Sequence, residues 1–373
     1  MIEVREVKSR KEIRDFINLP LKLYKDNKNF VPPIYMDEKK CFKSNYMYYD
    51  QAEAKYWNCY KDGKMVGRIS GIIQHKANEK WNQKRCRFTR FDAIDDQEVA
   101  NALFATVEAY AKEKGMEEVV GPLGFSDLER EGLLIEGFDY LSTFEEQYNF
   151  DYYQKLIENC GYGKDVDWIE HRLTFNDEKY QKLVEAGDRI LAQGKLHVIE
   201  HMPYKKLVKR YGDQFFEMLD ISYNKIYGTV PFTRGMRDLM ENNFAPIVNM
   251  DFIRFVMDEN DHLVAFAVAF PGIAKSLQRS GGKLTPLAVI KLLKTVKSPH
   301  IVDLGLVGID PKATMSGAQV VCYAELSKAF HKYKLDYVET NLNLEDNKEI
   351  IGTWNHFNSI QHKRRRSFVK KIN

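Results

Sequence analysis

The chain has 373 residues, of which 44% are hydrophobic and 13% aromatic, and its formal net charge is +3. This length suits two domains of ordinary size, each with a core of its own. A net charge so near zero argues against a polyanion-binding protein, so we expect no nucleic-acid partner.

Membrane and redox signals point to a cytoplasmic protein. No apolar run approaches the roughly 18 residues of a membrane-spanning helix, and none follows the first residues as a signal peptide would. The five cysteines are scattered and form no C-x-x-C pair, which is typical of reduced thiols. The nine histidines are dispersed, and we expect no metal site.

The first half predicts a mixed α/β unit. Apolar patterns, turn signals and caps indicate, in order, strands at Ile2–Val7, Ala54–Tyr60, Val66–Gln74, Arg87–Ala93, Glu118–Gly121 and Asp167–Phe175. The predicted helices run from Ser9 toward Leu19-Pro20, from Asp95-Asp96 and over Tyr152–Cys160. Asp62-Gly63-Lys64 is a hairpin signal between the second and third strands.

The second half repeats this order after a linking helix from about Asp177 to Ala192. The predicted elements are strands at His197–His201, Asp251–Met257, Leu263–Phe270, Ile301–Ile309 and Tyr337–Asn341, with helices at Asp213–Lys225, Leu284–Val296 and to about Lys334. We therefore predict a tandem α/β fold with mixed sheets (α+β in character), divided into domains 1–175 and 176–373.

The segment from Ile301 to Asn347 is the most informative one. An apolar strand meets Asp310-Pro311, a short loop of small residues follows, and an amphipathic helix leads to a second strand. Uncovered backbone N–H groups at such a helix start, together with the helix dipole, favour a phosphate. Strand, proline, loop, helix and strand in this order resemble the acyl-CoA-binding core of the GNAT acyltransferases.

This resemblance implies an acyl-CoA site in the second half. The co-substrate would be acetyl-CoA or a longer acyl-CoA, held by the edge of one splayed strand and by the loop after it. The implied binding residues are Val307, Gly308, Ile309, Lys312, Ser316, Gly317 and Ala318. Of the family's loop pattern Q/R-x-x-G-x-G/A, the central glycine matches, while Thr314 and Gln319 depart from it. The alternative is that Gly317 simply starts a helix.

The matching loop of the first half, residues 92–98, contains four acids and no glycine. Four carboxylates repel a pyrophosphate, and without glycine the backbone is less accessible. We therefore predict that the first domain has lost the donor site.

Several segments resemble a bacterial group of tandem GNAT proteins that includes bacterial ceramide synthases, over essentially the whole chain. They are Phe30–Pro33, Val66–Ile69, Val120–Ser126, Glu131–Asp139 and Gln147–Tyr153. In that group, the reaction joins a fatty acyl thioester to the amine of a sphingoid base.

GNAT chemistry needs a proton acceptor for the amine, a polarised thioester carbonyl and a proton for the thiolate. Glu339 on the second splayed strand is the first candidate for the base, with Asp303 and Glu345 as alternatives. Tyr152 and Tyr153 stand where the family often places its acid, but core packing is the favoured explanation for them unless the first domain is active.

Three other features each have a simpler explanation as an alternative. Asn341 and Asn347 follow the second splayed strand and are further implied binding residues, where Asn347 binds pantetheine or the acceptor, or else caps a helix. Leu284–Val296 rests on a bilayer, flanks an acyl tunnel or, as the plainer account, is a buried helix. The basic run Lys363–Arg366 contacts anionic lipid or is a solvated tail.

The sequence thus predicts a cytoplasmic N-acyltransferase with an amine acceptor, with peripheral contact to the inner membrane as an added option. Two alternatives stay open at this point. One is a GNAT-fold binding protein without catalytic activity, and the other is an N-acetyltransferase for a small polar amine.

Overall fold

One mixed β-sheet runs through both halves of the chain, and helices pack against it. The computed structural model describes residues 1–372. The strands are β1 (Ile2–Glu6), β2 (Ala52–Lys61), β3 (Lys64–Gln74), β4 (Arg85–Ala93), β5 (Glu118–Gly121), β6 (Leu133–Glu136), β7 (Gly163–Thr174), β8 (Leu196–Val198), β9 (Ile253–Asp258), β10 (Leu263–Pro271), β11 (Ile301–Ile309), β12 (Tyr337–Glu339), β13 (Asn343–Leu344) and β14 (Asn358–Lys371).

The helices follow the predicted order, with additions in both halves. They are α1 (Arg10–Leu23), α2 (Tyr35–Lys40), α3 (His75–Lys80), α4 (Gln97–Glu113), α5 (Tyr152–Asn159), α6 (Asp177–Leu191), α7 (Tyr204–Tyr223), α8 (Arg234–Phe244), α9 (Ala274–Ser280), α10 (Pro286–Lys297), α11 (Ala318–Tyr333) and α12 (Lys348–Thr353). A short 3-10 helix, Pro311–Ser316, precedes α11. None of the helices in the described residues is long and apolar enough to cross a membrane.

Local signals set several element ends as predicted. Ser9 forms a capping box with Glu12 at the start of α1, and Asp96 caps α4. The end of α1 is different, because the helix continues past Pro20 to Leu23. Proline removes the hydrogen bond to the carbonyl four residues earlier. Here the Arg68 guanidinium donates to that Phe16 carbonyl instead, at 2.9 Å.

The centre of the sheet joins the two halves. Its strand order there is β5-β14-β7-β12, so the last strand of each half pairs with strands of the other half. The predicted boundary between residues 175 and 176 stays a prediction, since the sheet itself shows no break there.

The basic run near the C-terminus is not a solvated tail, and that interpretation was wrong. It lies in β14, where Lys363 and Arg365 are 1% and 0% exposed. Carboxylates of Glu170 and Glu146 neutralise Arg365, and Asp167 pairs with Arg366. A run of charges suggests solvent exposure when only the sequence is known. The partners that neutralise it belong to distant segments, so they are not visible beside the run.

Each half contains a parallel strand pair that separates after three residue pairs. β4 and β5 pair from Arg85 to Arg87, and β11 and β12 pair from Ile301 to Asp303. A register shift follows in both β4 and β11, marked by Arg90 at φ +52° and by the extra residue Gly305. The same order of bulge and splayed pair in both halves agrees with the internal repeat.

Helix α10 is not buried as the plainer interpretation held. Leu292 and Val296 are buried, but Leu287 and Ile290 are 62% and 53% exposed. The amphipathic pattern of this helix therefore faces partly outward.

Candidate functional site

A cavity of about 560 Å³ lies where the two halves meet. Its size falls in the range of about 300–1,000 Å³ that is usual for ligand pockets. Residues of both splayed gaps line it, namely Thr89, Arg90 and Asp92 from the first half and Gly305, Leu306, Asn341 and Leu342 from the second. The cavity is thus built on the two strand separations.

Asn341 holds the second gap open. Its Nδ2 donates to the Gly305 carbonyl at the bulge of β11, and its Oδ1 accepts from the Leu342 amide, both at 2.8 Å. A Cβ on Gly305 would collide with the Phe270 ring, so only glycine fits at this bulge. Of the predicted binding residues, Asn341 is the one that lines the cavity.

Beyond the bulge, residues Val307, Gly308 and Ile309 lead along β11 from the cavity to the loop before α11. Strand pairing with β12 stops at Asp303, so this edge has no strand partner in residues 1–372. The Val307 amide is engaged nonetheless, because it donates to the Tyr223 hydroxyl at 3.2 Å, which itself donates to the Val307 carbonyl at 3.1 Å. Use of this amide by a ligand therefore requires that Tyr223 move.

The loop before α11 is exposed and small, as a phosphate site needs. Gly317 has φ +79°, and a Cβ there would lie 2.7 Å from a methyl carbon of Ile190 on α6. Its backbone angle and this packing both require glycine, independently of any phosphate. Ser316 Oγ accepts from the Ala318 amide at 3.2 Å, and Lys312 is exposed beside it. The backbone and the lysine charge fit a pyrophosphate group.

In the first half, tyrosines fill the place of the donor site. The Tyr153 hydroxyl accepts from the Ala93 amide at 3.0 Å, and Tyr152 donates to the Ala93 carbonyl at 2.8 Å. The Tyr24 hydroxyl lies 3.0 Å from both Tyr153 and Asp92. These bonds use the backbone that a ligand would need, which supports the loss of the donor site.

The same contacts bear on the predicted acids Tyr152 and Tyr153. Tyr153 is fully buried, and burial raises the pKa of both hydroxyls above the ordinary value. Both belong to or pack against the core of the first half. The geometry favours the packing explanation for them.

Glu339 sits in a buried ion network. Its carboxylate lies 2.7 Å from Arg172, 2.6 Å from His362 Nε2 and 3.7 Å from Lys363. Burial acts to raise the pKa of Glu339, but these three neighbours outweigh burial and lower the pKa to about 2. A carboxyl with so low a pKa is a weak proton acceptor at neutral pH. Its contacts with β7 and β14 instead favour a role in holding these strands to β12.

Replacing Glu339 with glutamine is expected to change how stability depends on pH. The folded pKa of about 2 lies below the ordinary 4.5, so the charge stabilises the fold above about 4.5 and this contribution fades towards about 2. The shift corresponds to about 3 kcal/mol. Urea unfolding of the wild type and Glu339→Gln across this range should show their difference shrinking as the pH falls; a constant difference contradicts the prediction.

The alternative bases differ from each other. Glu345 pairs with Lys164 and Arg364 on the surface, and these partners lower its pKa. Asp303 is 5% exposed and faces Glu339 in the strand register. Burial, together with the charges of Glu145 and Glu339, raises the pKa of Asp303 well above its ordinary value.

Two consecutive carboxyls that the sequence did not single out, Glu145 and Glu146, line the cavity. Burial and the neighbouring Glu146 raise the pKa of Glu145 to about 8, against the pull of Arg130. Burial likewise raises the pKa of Glu146, which lies 3.1 Å from Arg365. Their segment follows a turn-rich loop without periodicity, so the sequence carried no signal for them. A carboxyl that titrates near neutrality in a cavity is suited to proton transfer.

Asn347 caps helix α12, which was the alternative to a binding role. Its Oδ1 accepts from the Ile350 amide at 3.3 Å at the start of α12. Asn347 is absent from the cavity walls, and Trp354 nearby is buried in the core of the second half.

Known proteins similar to this chain agree with the fold. No protein-family profile matches it. Protein YghO of Escherichia coli (strain K12) is 26% identical over 380 residues, covering 99% of this chain and 95% of its own length. Bacterial ceramide synthase of Caulobacter vibrioides is 26% identical over 315 residues, covering 82% of this chain and 80% of its own.

Among solved structures, a tandem GNAT protein from the clavulanic acid biosynthesis pathway covers 100% of this chain and 99% of its own, with a TM-score of 0.57 and 11% identity. A GCN5-related N-acetyltransferase from Sphaerobacter thermophilus covers 100% and 96%, with a TM-score of 0.52 and 9% identity. The predicted tandem GNAT fold and the resemblance to the ceramide-synthase group are confirmed.

Proposed function

We propose that this chain, a tandem GNAT fold with a central cavity, is an N-acyltransferase that transfers an acyl group from an acyl-CoA to a primary amine. The observation that carries the proposal is the cavity itself. It joins the open gap of β11 and β12 to a carboxyl, Glu145, whose pKa is raised to about 8. A proton acceptor and a strand edge meet there in one enclosed space.

Each residue has a defined part in this proposal. The acyl-CoA supplies the activated acyl group, with its phosphates at the loop around Gly317 and Lys312. The edge of β11 that β12 leaves unpaired orients the carbonyl once Tyr223 has released the Val307 amide, and Asn341 holds the gap between the two strands. Glu145 accepts the proton that the amine loses as its nitrogen bonds to the acyl carbon; the carbon–sulfur bond then breaks, and CoA leaves as the thiol after taking a proton from protonated Glu145 or from water. Glu145 replaces Glu339 as the proposed base, because a pKa of about 2 leaves Glu339 little basicity.

The walls of the cavity favour a large apolar ligand. Phe144, Met240, Ile247, Phe270 and Leu292 are among the residues that line it. Apolar walls of this kind bind hydrocarbon better than a short acetyl group, since stabilisation grows with buried area. We propose a long acyl chain and a lipid-like amine, of the sphingoid type that ceramide synthesis uses.

Native mass spectrometry with CoA, acetyl-CoA and palmitoyl-CoA tests this proposal. Leu239 on α8 lines the cavity and is half-buried, while its neighbour Asp238 is exposed and outside the walls. Leu239→Trp narrows the cavity and should weaken palmitoyl-CoA binding more than acetyl-CoA binding. Asp238→Trp should bind both as the wild type does.

Two results would overturn parts of the proposal. Binding of acetyl-CoA alone by the wild type indicates acetyl transfer to a small polar amine. Binding of no thioester leaves the binding protein without catalysis, a function that the contact of Tyr223 with the Val307 amide specifically favours.

A further inference from the structure

One face of α10 is apolar and unusually exposed. Leu287, Ile290 and Leu293 follow each other at helical spacing and are 62%, 53% and 50% exposed. Leu284, just before the helix, is 44% exposed. Soluble surfaces seldom place so many large aliphatic side chains together unless the patch binds something.

The same face carries only positive charge. Lys291, Lys294 and Lys297 lie between the apolar residues on the exposed side of the helix. The bias extends beyond the helix, because no acidic residue occurs between Asp261 and Asp303. The basic residues of that stretch, Lys275, Arg279, Lys283, Lys291, Lys294 and Lys297, therefore meet no carboxylate from their own segment.

This face is continuous with the mouth of the cavity. Leu284, Val289 and Leu293 line the cavity, and two of them are also exposed. Met36 on α2 also lines the cavity and is 51% exposed. The Tyr35 amide donates to the Gly282 carbonyl at 2.9 Å, which fixes α2 beside the start of α10. The exposed apolar residues thus lead into the cavity walls.

We propose that α10 docks on the surface of an anionic lipid bilayer. Leu287, Ile290 and Leu293 enter the boundary between headgroups and acyl chains, while the lysines meet lipid phosphates. The mouth of the cavity then faces the membrane, so an apolar substrate passes between bilayer and cavity without crossing water. The delivery role rests on the proposed function; the docking itself does not.

The residue types favour a bilayer over a protein partner. Protein interfaces are enriched in tyrosine, tryptophan and arginine and depleted in lysine. The exposed face of α10 has lysine with leucine and isoleucine and lacks the three enriched types. Lysines beside aliphatic residues suit a bilayer surface, because the long lysine stems carry the ammonium groups to the lipid phosphates while the aliphatic side chains enter the membrane.

Vesicle flotation without any thioester tests the docking. The wild type should float with vesicles of phosphatidylcholine and phosphatidylglycerol but not with phosphatidylcholine alone, and added salt should weaken the binding. Lys291→Gln/Lys294→Gln/Lys297→Gln should lower the partition coefficient on the order of 100-fold. Leu287→Ser/Ile290→Ser should also release the protein.

Matched controls come from other exposed positions. Lys205→Gln/Lys206→Gln/Lys209→Gln removes three exposed lysines from α7, and Met315→Ser removes a side chain from a residue that is 97% exposed. Both variants should bind vesicles as the wild type does. Circular dichroism shows whether each variant is folded.

Three results overturn the docking: no flotation with anionic vesicles, equal flotation of the α10 variants, or a dimer in solution that Leu287→Ser/Ile290→Ser dissociates. The last result assigns the face to a second copy of the chain. Flotation without acyl transfer contradicts the proposed function and leaves the docking in place. Acyl transfer in detergent micelles without flotation contradicts the docking and leaves the proposed function in place.

Discussion

Replacing Glu145 with glutamine is expected to lower kcat for acyl transfer by about 10²–10⁴-fold, the usual contribution of a general base. The KM for the thioester should change little, because the side chain keeps its size. A base with a pKa of about 8 must lose its proton before it acts, so the wild-type rate should rise with pH and level off above about 8. This rising limb of the pH–rate profile should be missing in Glu145→Gln. Initial rates across pH measure both effects.

Two further variants separate catalysis from general disturbance. The charge of Glu146 raises the pKa of Glu145, so Glu146→Gln should move the limb to lower pH. Glu136 is an exposed carboxyl at the end of β6, and Glu136→Gln should leave rate and profile unchanged. A Glu145→Gln enzyme with a wild-type rate and profile would falsify the assignment.

Replacing Arg365 with methionine is expected to destabilise the fold by about 3–5 kcal/mol, the usual cost of removing one partner of a buried ion pair. Arg365 is 0% exposed, its Nε donates to Glu170 Oε1 at 2.6 Å, and it also donates to the Gln147 carbonyl. Without it, the buried carboxylate of Glu146 loses its ion-pair partner, and that of Glu170 keeps only Lys363. Urea denaturation measures the loss.

The matched control is Arg5→Met. Arg5 pairs with Glu3 on the surface, where both side chains are about half exposed, so the midpoint should not move measurably. In the Arg365→Met background, Glu170→Gln should recover part of the loss, because it removes the repulsion between the carboxylates of Glu170 and Glu146. Equal midpoints for Arg365→Met and Arg5→Met would show that the network contributes nothing to stability.

Most of the secondary structure could be predicted from the sequence, because its signals are local. The capping box at Ser9, the hairpin turn at Asp62-Gly63 and the apolar runs of β2 and β3 each depend on residues close in the chain. The site was harder to predict. Glu145 carries no local pattern, and its pKa depends on burial by distant segments.

The misjudged elements share one cause. The charges of β14 suggested a solvated tail, yet Lys363 and Arg365 are buried because β7 supplies Glu170 and the loop before α5 supplies Glu146. Pro20 suggested a helix end, yet Arg68 of β3 takes over the free carbonyl. In both cases, a partner far along the chain lowers the free-energy cost of the residue at its position, namely a buried charge in β14 or a proline inside α1.

By itself, the sequence predicted most of the strands and helices in their order, the tandem repeat, the unit from Ile301 to Asn347 that resembles an acyltransferase core, and the acidic loop without glycine in the first half. These follow from periodicity, turn residues and local charge, which act over a few residues. Only the tertiary structure decided that β14 crosses to the first half, that the two splayed gaps share one cavity and that Glu145 lies in its wall. Strand pairing, burial and pKa values depend on segments that are far apart in the chain, and a linear pattern does not encode which of them meet.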